Sequence, residues 1–107
     1  MPLYRNTYWS KAIQVRDRET GQPQNISLWQ FSCDVKDAAG AAVLTATSAG
    51  GHFVVFDGAN GWFRFLFLAA TNSTFPLGTI RGAVLRTDAS PGPIRLGLFE
   101  ETVSDLP

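Results

Sequence analysis

From Trp62 to Leu68 the chain alternates strictly. Phe63, Phe65 and Phe67 take one side of an extended segment, and Trp62, Arg64, Leu66 and Leu68 the other. A period of two predicts a strand whose Phe row faces a core. The opposite row is also apolar apart from Arg64, so that side is expected to be covered by something else. Two turn dipeptides, Asp57-Gly58 and Asn60-Gly61, lead into the strand. Ala69 to Phe75 reads as a loop or a single helical turn before Pro76-Leu77-Gly78.

The same period recurs along the chain. Trp9, Lys11, Ile13 and Val15 alternate with Ser10, Ala12, Gln14 and Arg16 to give a first strand, after an aromatic lead-in from Tyr4. Arg16 to Gly21 is a charged turn, and Pro23 keeps the next connection extended. A second strand is predicted from Ile26 to Val35, with Trp29, Phe31, Cys33 and Val35 on its apolar face. Lys36 to Gly40 turns into a weaker strand, Ala42 to Thr47, and Ser48 to Gly51 turns into a short apolar one, His52 to Phe56. Thr79 to Thr87 and Ile94 to Val103 complete the set, joined by a hairpin connection from Asp88 to Pro93. Turn chemistry at each break, and no long helical period, predict an all-β chain. The expected fold is a single antiparallel β-sandwich of about seven to eight strands. Residues 10–103 form the domain, 1–9 an N-terminal arm and 104–107 a C-terminal tail.

Composition narrows the function classes. Nine basic residues balance nine acidic ones, so no global field favours nucleic acid or anionic lipid. Arg81, Arg86 and Arg95 on neighbouring strands would make at most a basic strip without interleaved stacking aromatics. No apolar run approaches the ~20 residues of a membrane span, and the first residues carry no signal-peptide pattern. A soluble chain made in a cytoplasm is the expectation, with no membrane and no nucleic-acid partner. The two glycosylation tripeptides, at Asn25 and Asn72, are then chance matches.

The chemistry-bearing residues stand apart. Cys33 is the single cysteine, set between apolar neighbours and beside Asp34, which suits a small buried hydrophobe better than a reactive thiol. His52, the single histidine, follows a Gly-Gly turn with no activated nucleophile near it. Glu100 and Glu101 are adjacent and therefore face opposite sides of a strand, so they make no facing acid pair. Asp34, Asp37, Asp57 and Asp88 sit in or beside turns, where the side chain bonds its own backbone. A calcium ion between loops has no ligand spacing to support it. No enzyme and no cofactor or metal are expected. Trp9 and Trp62 offer the alternative of a sugar-stacking platform, while Trp29 shares a face with Phe31 and Cys33 and is expected in the core.

The order of turns and strands resembles that of the small immunoglobulin-like β-sandwich proteins of tailed bacteriophages, akin to the N-terminal module of baseplate upper proteins. The likeness rests on Gly21-Gln22-Pro23, Ile26 to Val35, Asp37-Ala38-Ala39-Gly40 and Val43-Leu44. It continues through Asn60-Gly61 to Leu68, Ala69-Ala70-Thr71, Phe75-Pro76-Leu77-Gly78, Thr79 to Thr87, Pro91-Gly92 and Ile94 to Val103, and so covers about residues 10–103. It implies a non-enzymatic virion component of the tail, baseplate or a fibre attachment, in contact with other virion proteins and with copies of itself in a symmetric assembly. A capsid decoration or head–tail connector protein, or a module for a host-surface glycan, are the alternatives. Trp62, Arg64 and Leu66, with Tyr4 and Trp9, are the expected contact residues. Pro2-Leu3-Tyr4 and the tail from Ser104 are expected to reach neighbouring subunits as arms.

Overall fold

The structure, a computed structural model, describes residues 3–89 and 92–105. The seven alternating segments become seven strands, and a further two-residue strand precedes them: β1 (Leu3–Tyr4), β2 (Trp9–Gln14), β3 (Phe31–Asp37), β4 (Ala42–Thr47), β5 (Phe53–Asp57), β6 (Trp62–Phe67), β7 (Gly78–Arg86) and β8 (Ile94–Ser104). A 3-10 turn, Gly58–Asn60, precedes β6, and one helical turn, α1 (Ala69–Asn72), follows it. The strands form two sheets, ordered β1-β8-β7-β3-β4 and β2-β6-β5. Every pairing is antiparallel except β1 with β8, which is parallel.

The sheets pack face to face through aromatic rings, which makes the fold an all-β sandwich. Phe63, Phe65 and Phe67 are all at most 1 % exposed. From the opposite sheet, Phe31 stacks on Phe63 with centroids 4.4 Å apart, and the Phe99 ring meets the edges of Phe65 and Phe67 at 5.1 and 5.9 Å. Cys33, Val35, Ala46, Ile80, Val84 and Val103 fill the rest of that wall. The Phe row is thus the centre of the core, as its period implies.

Several expected features differ. β3 starts at Phe31 rather than Ile26, because the Asn25 carboxamide oxygen accepts from both the backbone N–H and the hydroxyl of Ser27, folding the chain into a turn. Ile26 is still buried, as a single anchor whose N–H donates to the Gly58 carbonyl at 2.8 Å. The N-terminal arm is not free: Leu3 and Tyr4 pair with Val103 and Ser104 of the same chain, and Leu3 is fully buried. The Arg5 N–H extends this ladder to the Ser104 carbonyl at 3.0 Å, so Ser104 also belongs to the sheet rather than to a loose tail. Pro2 of the arm, Ser90 and Pro91 of the hairpin connection and residues 106–107 of the tail lie outside the described residues.

Asn72, one of the two tripeptide asparagines, is fully buried, and its amide nitrogen donates to the Thr7 carbonyl. Arg81, Arg86 and Arg95 do not form a strip. Arg81 sits opposite Glu100, whereas the Arg86 guanidinium lies 4.0 Å over the Trp29 ring and pairs with Asp88 at 3.0 Å. That stacking leaves Trp29 half-buried at the core margin, outside any strand.

Candidate interaction surface

Because side chains alternate across β6, burying the Phe row commits Trp62, Arg64 and Leu66 to the outer face of the three-stranded sheet. The register sets their neighbours. Ser10 lies opposite Leu66, Ala12 and Val54 flank Arg64, and Gln14 and Asp57 flank Trp62. Alternation along β5 puts Phe56 in this row after Val54, and the register shifts in a bulge between Val55 and Asp57. Its ring lies 6.2 Å from that of Trp62, tilted by 32°, and the Arg64 guanidinium stands 5.1 Å above it. Arg64 also donates to the Ser10 hydroxyl at 3.3 Å.

The face is therefore a cationic group set among apolar ones. Val54 and Phe56 are about half exposed, at 47 % and 51 %, and Leu68 at the strand end is exposed at 58 %. Trp62, Arg64 and Leu66 are half-buried. Large apolar side chains in one contiguous row on an open sheet face are the usual mark of a contact surface.

Of the five expected contact residues, the fold brings together three. Tyr4 is half-buried on β1, in the other sheet. Trp9 is corrected outright. It is 1 % exposed, stacked on Phe67 at 5.3 Å and edge-on to Phe99 at 5.4 Å, because its position opposite Phe67 puts it on the inner side of β2. A sugar platform using Trp9 goes with it. Val54 and Phe56 were missed, though the alternation of β5 contains them: with Phe53 buried, Val54 and Phe56 must face outward.

His52, Cys33 and Asp17 are engaged locally. The His52 Nδ1 accepts the Thr47 backbone N–H at 3.2 Å. Burial, and then the neighbouring Asp34 carboxylate, push the Cys33 thiol up to about 12, so it stays protonated. The Asp17 carboxyl is held below its usual range by the N–H groups of Thr20 and Glu19. Among the described residues no three of His, Cys, Asp and Glu come together as metal ligands, and no helix is long and apolar enough to cross a membrane.

No family model matches the chain, and no curated protein sequence matches it. A solved structure does. The chain is similar to the N-terminal domain of phage TP901-1 ORF48, at 19 % sequence identity and a TM-score of 0.58, over 98 % of this chain and 84 % of that one. At that identity the likeness is one of fold.

Proposed function

We propose that this chain is a non-enzymatic structural component of a tailed-bacteriophage virion, in the tail, baseplate or fibre attachment, and that it binds another virion protein through the outer face of β2, β6 and β5. The observation that carries the reading is the open row of Val54, Phe56, Trp62, Arg64 and Leu66. Its support comes from two further directions. The fold resembles a phage domain over nearly its whole length, and the histidine and cysteine are committed to backbone bonding and to the core. The strand orders β2-β6-β5 and β8-β7-β3-β4 also run as B-E-D and G-F-C-C′ do in variable-type immunoglobulin domains, which favours the immunoglobulin-like reading of the sandwich.

The test is genetic and structural together. Leu66→Glu and Phe56→Lys, on the outer face, should leave the isolated chain folded with a Tm close to that of the parent. In a phage carrying either substitution, the chain should be missing from purified particles. Particles containing the variant chain at the parent stoichiometry would overturn the assignment. Assembly of the isolated chain into rings lost on the same substitutions would instead assign the face to a second copy.

A further inference from the structure

On one side of the sandwich the two sheets stand apart. A cleft of about 840 Å³ separates β2 from the first half of β8, with Ile13, Phe63, Val84 and Leu96 among its apolar walls. Gly97 faces into it opposite Val84, and a Cβ placed there would meet nothing within 4 Å. Lys11 lies on the inward side of β2, opposite Phe65, yet is exposed because nothing closes the cleft above it.

The wall formed by β8 is also an unfinished ladder. Among the described residues its outer edge is paired only at Val103 and Ser104, by β1. The bond from the Arg5 N–H to the Ser104 carbonyl fixes which backbone groups aim that way. By alternation those of Glu100 and Leu98 aim there too, and no strand meets them. Leu98 is 73 % exposed and Ile94 48 %. A row of unpaired backbone groups beside an apolar cleft is a template for an added strand.

Charge says what kind of strand. Lys11, Arg16, Arg18, Arg86 and Arg95 line the cleft against one acid, Asp17, although Arg86 is paired with Asp88. This chain's own adjacent acids, Glu100 and Glu101, are locked inside β8, so a second copy would have to unfold to supply them. We propose that β8 accepts an extended acidic segment of a different protein, running parallel to β8 in line with β1. Its backbone bonds Leu98 and Glu100, its apolar side chains enter the cleft over Gly97, and its carboxylates, on the opposite face by alternation, lie on the Arg95 side of β8. The cleft shares Ala12, Gln14 and Trp62 with the outer face of β2, β6 and β5 but none of Val54, Phe56, Arg64 and Leu66, so substitutions at those four test the outer face separately.

The parallel register of Leu3 with Val103 supplies the experiment, since it points the chain direction upstream of Leu3 toward the first half of β8. A segment of alternating Val and Glu about eight residues long, added at the N-terminus, spans that edge at ~3.3 Å per residue. In the parent chain the Leu98 and Glu100 amides should exchange freely with deuterium. In the extended chain they should slow by about 100-fold. The same peptide added in trans should give the same protection at high concentration, which covers the case of an extended chain that folds poorly. Gly97→Val, filling the cleft floor, should remove the protection. Fast exchange with both tether and peptide, or amides already protected in the parent, would overturn the proposal. A Val/Lys segment protecting as well as Val/Glu would overturn its acidic character.

Discussion

Replacing Phe65 with alanine removes the ring on which the two sheets meet. Phe65 is fully buried, and its ring touches Phe53 at 4.6 Å and Phe67 at 5.0 Å in its own sheet, and Phe99 at 5.1 Å across the core. Transfer of a whole Phe side chain out of the core costs about 1.5–3 kcal/mol before any cavity is counted. Measured Phe→Ala costs in cores run about 3–5 kcal/mol, because neighbours relax only partly into the cavity. For a domain of this size that is a fall in Tm of roughly 12–20 °C. The neighbouring Leu66 is the control, being half-buried on the outer face. Leu66→Ala should cost about 1 kcal/mol or less. Guanidinium unfolding followed by tryptophan fluorescence reads both, since Trp9 is packed within the same cluster. Equal costs for the two substitutions would refute the assignment of inner and outer faces to β6.

Four further outcomes rest on local geometry. Gly61 has φ +80° and a Cβ there would lie 2.5 Å from the Val15 carbonyl oxygen, so Gly61→Ala should destabilise by at least ~2 kcal/mol. Gly40, at φ +88° with open space around it, should lose only ~1 kcal/mol on the same change, by the same unfolding assay. The Cys33 thiol should resist an aromatic disulfide reagent in the native chain at pH 8 and react only at the rate of unfolding. The Asp88 carboxyl is held below its usual 3.8, first by the Arg86 side chain and then by the Gln30 N–H. A depressed folded value means its contribution is present above pH ~3.8 and disappears as pH falls through the folded value. Urea melts should therefore show Asp88→Asn less stable than the parent at neutral pH and the difference vanishing in strong acid.

The legible parts of the fold are those where a period of two runs long enough to have a phase. β6 shows both its faces because three Phe residues occupy one side without interruption, and β4 is bounded by turns that leave it no other extent. β1 has only two residues, too few to carry a period, so its parallel pairing with β8 depends on where the far end of the chain comes to rest. The start of β3 was hidden because the Asn25 side chain captures Ser27 locally, and a capture of that kind leaves the apolar alternation unchanged. Trp9 was placed on the right strand, but Lys11 in the same row disguised the row as an outer one. The outer surface was half legible. Trp62, Arg64 and Leu66 follow from β6, and Val54 and Phe56 follow from β5 once Phe53 is assigned inward. The cleft beside β8 was not legible at all, since it exists only through which strands become edges.

The proposed function requires that the outer face of β2, β6 and β5 be covered in the assembled particle. Hydroxyl-radical footprinting of the free chain and of intact phage particles tests it directly, with the buried Trp9 as the internal reference. Phe56 and Trp62 should oxidise readily in the free chain and be protected in the particle, while Trp9 stays protected in both. Equal oxidation of Phe56 and Trp62 in the two states would contradict it.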